Sequence, residues 1–359
     1  MSRSHNFSAG PAVLPLEVLE RVQNELVDYK GTGSSIIELS HRGPEYTEVD
    51  QQAKAKVKEL LGIGDDYQVL FLQGGASTQF LMAPYNFLRE GETADYLNTG
   101  SWSSKAIKEA KLFGNVHEAF SSKDSNFNRI PAQDEIDFSG KANYVHFTSN
   151  NTIFGTQFRK EPQTDGTPLV CDASSDFFSR PLDIEKYGIL YAGAQKNAGP
   201  SGVTIVVIRK DMLEKAYTEN VPSMMSYPVQ AKTLFNTPPV FAVYFLNYVL
   251  DWIKDQGGLA KMEVKNKNKA EKLYAELDKD DFYRPTAEKD SRSHMNVTFR
   301  LADEDLEKTF LDESDKAGLN GLKGHRSVGG MRASIYNACP EESIDALISF
   351  MQDFRKKHG

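Results

Sequence analysis

The chain has 359 residues, 40% of them hydrophobic and 26% charged, enough to bury a sizeable core and, at about 150 residues per domain, to build roughly two domains. Its 42 Lys and Arg against 50 Asp and Glu leave a net charge of −8, which argues against a general binder of nucleic acid or anionic membrane. Two cysteines, Cys171 and Cys339, are too few for a disulfide framework or a four-cysteine zinc site.

The N-terminal segment, residues 1–15, lacks the apolar stretch of a secretory signal, and Ser2 excludes N-myristoylation. A cytoplasmic protein is expected. Asp50 to Leu61 places Ala53, Val57, Leu60 and Leu61 on one helical face, with Gly62 as a stop. The apolar run Val69 to Leu72 reads as a strand, followed by Gly74-Gly75-Ala76-Ser77-Thr78 and a helix over Gln79 to Leu88. A second strand ends near Asn98-Thr99-Gly100, and Ser101 caps a helix to about Phe113. Further strands are expected at Tyr144 to Thr148, Leu169 to Cys171, Ile189 to Ala192 and Val203 to Ile208. Short apolar strands separated by helices predict an α/β domain over residues 16–258, its mainly parallel sheet covered on both faces.

Val240 to Ile253 is apolar nearly all round but has only 14 residues, with Asn247 and Asp251 among them. A membrane span needs about 20, so this reads as a core helix covered on every side. After Gly257-Gly258 the texture changes to a smaller α+β domain, residues 259–359. Its expected elements are a helix over Met262 to Leu277, a strand over Met295 to Leu301 and a helix over Asp303 to Lys316, closed by Gly318. A strand over Val328 to Ile335 follows, then a helix starting at Pro340 with Glu341 and Glu342 in its first turn.

Asp172 closes the apolar run Leu169-Val170-Cys171, at the strand end where open α/β sheets hold ligands. Lys196 follows a second apolar strand and precedes Asn197-Ala198-Gly199-Pro200. Desolvation there favours its neutral amine, the form that attacks an aldehyde. An acid and an amine on neighbouring strand ends suit pyridoxal phosphate, whose ring nitrogen needs an anion and whose aldehyde needs an amine. The Gly74–Thr78 loop offers backbone N–H groups at a helix start, where a phosphate fits. Trp102, at another helix start, offers a ring to stack on. Taken singly, a capping Asp, a solvated lysine and a core tryptophan are the commoner readings of these features, and a plain strand–helix turn accounts for the glycine loop as well as a phosphate site does. His41-Arg42 and His325-Arg326, the latter with Arg332 nearby, repeat a His-Arg pair on glycine-bearing segments. Arginine forks bind carboxylate and phosphate, so the pattern suggests a small substrate carrying several negative charges.

In this order the motifs are distinctive. They are Phe7-Ser8-Ala9-Gly10-Pro11-Ala12, Ser40-His41-Arg42-Gly43, Gln73-Gly74-Gly75-Ala76-Ser77, Thr99-Gly100-Ser101-Trp102 and Asp172-Ala173-Ser174-Ser175. Ala194-Gln195-Lys196-Asn197-Ala198-Gly199-Pro200, Phe235-Asn236-Thr237-Pro238-Pro239 and Gly324 to Arg332 complete the set. Along its whole length the chain resembles the phosphoserine aminotransferase family, within the class V aminotransferases of the fold-type I pyridoxal-phosphate enzymes. The resemblance implies that Lys196 carries the cofactor as a Schiff base and shuttles the substrate proton. Asp172 would pair with the ring nitrogen, Trp102 would stack on the ring, and Thr152 would bond its phenolic oxygen. Ala76, Ser77 and Gln195 would hold the cofactor phosphate, completed by Asn236 and Thr237 from the second subunit of a homodimer. Arg42 and Arg332 would take substrate carboxylates, while His41, His325 and Arg326 receive a phosphate or side-chain carboxylate. The implied reaction is transamination between L-glutamate and 3-phosphohydroxypyruvate, giving O-phosphoserine and 2-oxoglutarate in serine biosynthesis. In some bacteria the family also aminates a phosphorylated hydroxythreonine on the way to vitamin B6. A cysteine desulfurase-like lyase with the same cofactor is disfavoured, because Gln195 rather than His precedes Lys196 and Cys339 sits against Pro340.

Overall fold

The computed structural model describes residues 3–359; Ser2 lies outside the described residues. Seven strands form the main sheet: β1 (Tyr67–Leu72), β2 (Thr93–Asn98), β3 (Asn115–Ser121), β4 (Ala142–Thr148), β5 (Leu169–Asp172), β6 (Tyr187–Gly193) and β7 (Thr204–Arg209). Their spatial order is β1-β7-β6-β5-β4-β2-β3. The pairs β3/β2, β2/β4, β4/β5 and β5/β6 are parallel, while β7 runs antiparallel to both β6 and β1. The mainly parallel α/β fold is as expected. Because β7 reverses, the chain must turn back directly after β6, and Lys196 lies in that turn. Ala194 N–H donates to Val203 O at 3.0 Å, and Gly199 N–H to Ala194 O at 2.8 Å, closing it.

One face of the sheet packs against helices α1 (Pro44–Leu61) and α4 (Val240–Asp255), the other against α2 (Gly75–Phe87) and α3 (Ser101–Ala110). The polar residues of α4 are matched: Lys56 donates to Asn247 Oδ1 and lies 2.7 Å from Asp251. Phe241 breaks the expected all-round burial. It is 39% exposed beside Leu234 and Phe235, at 37% and 42%. No helix of the described residues is long and apolar enough to cross a membrane.

The remaining chain builds a three-stranded antiparallel sheet, β8 (Tyr283–Pro285), β9 (Asn296–Leu301) and β10 (Met331–Ser334). Helices α5 (Gly258–Leu277) and α6 (Glu341–His358) share its core, with Leu273, Phe299, Phe310, Met331, Leu347 and Phe354 buried between them. Leu259 and Met262, in the first turn of α5, pack into the large core instead. The N-terminal segment joins this body: His5–Asn6 pairs with Leu319–Asn320, and Phe7 is fully buried in the same cluster.

Several expected boundaries move for local reasons. Helix α1 begins at Pro44, a favoured first position, rather than Asp50. Ser101 is the first residue of α3 and not its cap. Ser103 Oγ instead accepts the Thr99 and Gly100 N–H groups, and α3 stops at Ala110 rather than Phe113. Gly329 and Gly330, at φ 73° and 64°, cut the expected strand 328–335 back to Met331–Ser334. Pro340 precedes α6 rather than opening it. The half-exposed edge strand β3 and the short β8 carry no clean alternation and were not expected.

Candidate active site

Asp172 ends β5, is buried, and pairs across the sheet with Thr148 on β4 and Tyr191 on β6. Its Oδ1 accepts from Ser174 N–H at 3.0 Å and Ser174 Oγ–H at 2.7 Å, and Ser174 Oγ accepts from Gly193 N–H at 3.0 Å. Among the described residues Oδ2 has no hydrogen bond. Burial pushes the carboxyl above its usual range, opposed by the Lys196 cation and the Ser174 bonds.

The Lys196 side chain reaches the same cavity. Its Nζ donates to Thr152 Oγ1 at 3.2 Å and lies 4.8 Å from the centre of the Trp102 ring. Burial pulls its pKa down to about 8; Asp172 opposes the shift and Arg332 adds to it. Near neutral pH the amine is therefore within reach of its nucleophilic form. The N-terminal segment lies against this loop, with Ala12 N–H donating to Gln195 O at 3.0 Å. A Cβ on Gly10 would stand 3.2 Å from Lys196 Cγ.

Thr152 joins three of the expected residues. Its Oγ1 accepts from Trp102 Nε1 at 2.9 Å as well as from Lys196, and its carbonyl accepts from Arg332 Nη1 at 3.1 Å. Facing them, Gly74 and Gly75 adopt φ 87° and 63°, turning the chain from β1 into α2 so that the first N–H groups of the helix point at the cavity. A Cβ on Gly74 would run into the Thr78 side chain. Gly74→Ala is expected to cost about 1–2 kcal/mol, from the left-handed backbone and this clash, and to weaken phosphate binding. Urea midpoints and a phosphate titration check both. The cavity, about 370 Å³, is lined by Gly74 to Ser77, Trp102, Asp172, Ser174 and Gly193 to Lys196. Ala76, Ser77, Gln195 and Trp102 thus line one cavity with the lysine.

The cationic residues divide into two sets. Arg332, half-buried on β10, lines an adjoining cavity of about 750 Å³, and its buried Nε has no protein partner. His325 sits on the turn before β10, where burial and then the Arg332, Arg326 and Lys105 cations hold its imidazole below its ordinary pKa. Arg326 beside it is exposed. Lys105 was not foreseen. Its Nζ lies 4.4 Å from the Trp102 ring centre, one helical turn along α3, and that i, i+3 spacing is the signal that points to it. Ser174 was equally unforeseen as the partner of Asp172.

His41, Arg42, Asn236 and Thr237 do not reach the Lys196 cavity of their own chain. His41 lines a separate groove with Lys54, Leu72, Asn236 and Pro238, and its buried Nε2 is unpartnered. Asn236 donates to Gln73 Oε1 at 3.1 Å, and Gln73 donates to Thr237 O at 2.7 Å, directly behind the Gly74 loop. Both cysteines are buried, with burial pushing Cys339 up to about 11 and raising Cys171 well above its usual value. Neither offers the exposed thiolate that a desulfurase-like reaction needs.

The chain as a whole has counterparts among known proteins. The aminotransferase class-V family matches residues 4–347. The chain belongs to that family. Among relatives, the phosphoserine aminotransferase of Desulfatibacillum aliphaticivorans is 54% identical over 362 residues, covering 100% of this chain and 99% of its own. The solved phosphoserine aminotransferase from Bacillus circulans subsp. alkalophilus superposes with a TM-score of 0.97 at 53% identity, covering 99% of each chain. The pyridoxal-phosphate-bound phosphoserine aminotransferase from Trichomonas vaginalis gives 0.92 at 41% identity, over 98% of this chain and 100% of its own. The resemblance drawn from the motifs is therefore borne out: this is a phosphoserine aminotransferase-type member of the class-V aminotransferases.

Proposed function

We propose that the enzyme carries out pyridoxal-phosphate-dependent transamination between L-glutamate and 3-phosphohydroxypyruvate, giving O-phospho-L-serine and 2-oxoglutarate, in the cytoplasm and in the service of serine synthesis. One observation carries the reading. Asp172, with Oδ1 held by Ser174 and Oδ2 free, shares a cavity with the Lys196 amine and the Trp102 ring. That donor set fits the cofactor. An acid faces the ring nitrogen, an amine the aldehyde, an indole the ring, and helix N–H groups the phosphate.

When bound, the cofactor supplies an aldehyde and a protonated ring that draws electrons from the substrate carbon. The chain's own residues do the rest. Lys196 Nζ takes and returns the substrate proton, a task suited to an amine whose pKa is about 8. Thr152 holds Nζ and Trp102 Nε1 through one hydroxyl, fixing the amine relative to the stacking face. Arg332, with its buried free Nε, takes a substrate carboxylate by a forked contact. His325 and Arg326 receive the phosphate or the second carboxylate. His41 and Asn236 line a groove of their own together with the exposed Leu234, and neither Arg42 nor Thr237 lines the Lys196 cavity. We assign them to the site of a second copy in a homodimer. Asn236 and Thr237 of the partner subunit would complete the phosphate cradle. His41 and Arg42 of the partner subunit would close over the substrate.

A coupled assay comparing phosphorylated with unphosphorylated hydroxypyruvate tests the substrate. The phosphorylated acceptor is expected to be preferred by about 10³-fold or more in kcat/KM, since the unphosphorylated analogue forgoes the charge-assisted contacts with His325 and Arg326. Equal use of both overturns the assignment. Phosphohydroxythreonine in the same assay reports on the vitamin B6 role. Arg326→Ala is expected to raise KM for the phosphorylated acceptor about tenfold and for glutamate less. An equal loss for both would remove its phosphate role.

A further inference from the structure

The three segments that carry Asp172, Lys196 and Arg332 meet behind the cavity in a buried polar knot, away from any reacting atom. Asn197, next to Lys196, donates from Nδ2 to Phe177 O at 2.7 Å and accepts the Asn337 N–H on Oδ1 at 2.9 Å. Asn337 in turn donates to Phe178 O at 2.9 Å and accepts from Asn266 Nδ2 at 2.7 Å. Phe177 and Phe178 belong to the turn that leaves Asp172, and Asn337 to the turn that leaves β10 and Arg332. Both turns are thereby tied to the lysine loop.

Lys269 on α5 closes the knot. It is only 5% exposed and has no carboxylate partner; its Nζ donates to the carbonyls of Ile335 at 3.1 Å, Tyr336 at 2.7 Å and Cys339 at 3.2 Å. Three carbonyls match the three N–H groups of an ammonium. A buried cation without a carboxylate partner is costly to keep, and this one is held by the three carbonyls. What the contact does is pin the turn 335–339 from below while Asn197 holds it from above.

We infer that Lys269 is a positioning residue: acting through the turn 335–339, Asn337 and Asn197, it sets the placement of the Lys196 loop relative to Asp172 and Arg332. This rests on the reading of Lys196 as the reacting amine, but its test does not require turnover. Burial pulls Lys269 down to about 8, with Cys339 and Glu341 opposing and Lys265 adding, so the third N–H is present at neutral pH.

The test uses the cofactor-free full-length protein. The pH midpoint for reductive methylation of Lys196, read by peptide mass spectrometry, is compared in the unaltered protein, Lys269→Met, Asn197→Ala and the double variant. Loosening the loop exposes Lys196, so each single change is expected to raise the midpoint by about one pH unit toward the ordinary lysine value. The double variant should exceed the larger single shift by little, since both changes break one chain of contacts. With cofactor restored, KM for both substrates should rise in the same variants, with a smaller change in kcat. A midpoint unchanged in both folded single variants, or shifts that simply add, would overturn the inference. If Lys269→Met does not fold, Lys269→Gln, which keeps two N–H donors without the charge, decides in its place, by a raised or an unmoved midpoint. A failure of the Lys196 reading itself would show differently, as full turnover in Lys196→Ala.

Discussion

Lys196→Ala is expected to lower transamination by about four orders of magnitude or more, with the protein still folded and still able to take up the cofactor without a covalent bond. Two contributions are lost together. Proton transfer by a placed base is worth about 10²–10⁴, and the same amine binds the aldehyde. No neighbour replaces it. Lys105 lies 4.4 Å from the Trp102 ring centre but is exposed, and Thr152 carries no titratable amine. The substitution also alters the pH dependence of stability in the cofactor-free protein. With a folded pKa of about 8 against 10.5, the native lysine binds fewer protons than the unfolded chain between those values. Unfolding free energy should therefore rise with pH across that window, and rise less in Lys196→Ala. Single-turnover kinetics at saturating cofactor and urea titrations from pH 7 to 10 provide the two readouts. Retention of a tenth of the activity would contradict the role.

Asp172→Asn is expected to lower activity about 10²–10³-fold, comparable to losing one preorganised electrostatic partner in a dry site. The amide keeps the Ser174 contacts but cannot hold a positive charge opposite Oδ2. The same change should stabilise the cofactor-free protein. Burial raises the Asp172 pKa, so the folded state binds more protons than the unfolded chain between the ordinary and the raised values, and the ionised form costs stability above them. Removing that charge is expected to raise Tm by a few degrees, about 1 kcal/mol in a chain of this size. A melting scan of the two cofactor-free proteins at pH 7.5 checks it. A lower Tm in the variant would mean that Asp172 is structural.

The parallel sheet was legible because its inner strands are short, β-branched and apolar on both faces, as in Val203 to Ile208. The strand-end acid and the lysine turn were legible for the same reason, since a charge at the end of a buried strand is conspicuous. Edge strand β3, half-exposed along Asn115–Ser121, gave no periodic signal. The start of α3 differs because a hydroxyl inside its first turn, Ser103, does the capping, and α6 begins one residue late because Pro340, at φ −63° and ψ 151°, is its cap and not its first residue. Ser174 and Lys269 could not be singled out from sequence. Their roles depend on a contact with Asp172 and on three carbonyls brought together only by the turn after β10. His41, Arg42, Asn236 and Thr237 show a further limit. Their motifs mark them, yet the fold of the single chain leaves them off the Lys196 cavity, a placement that no local pattern reveals.

Lys196, which lines one small cavity with Asp172, is the amine proposed to bind pyridoxal phosphate. The most direct measurement is borohydride reduction of the cofactor-loaded protein followed by peptide mapping. A single pyridoxyl group is expected, on Lys196, and is lost in Lys196→Ala. A pyridoxyl group on Lys105, Lys269 or any other lysine of the unaltered protein, or none at all, would contradict it.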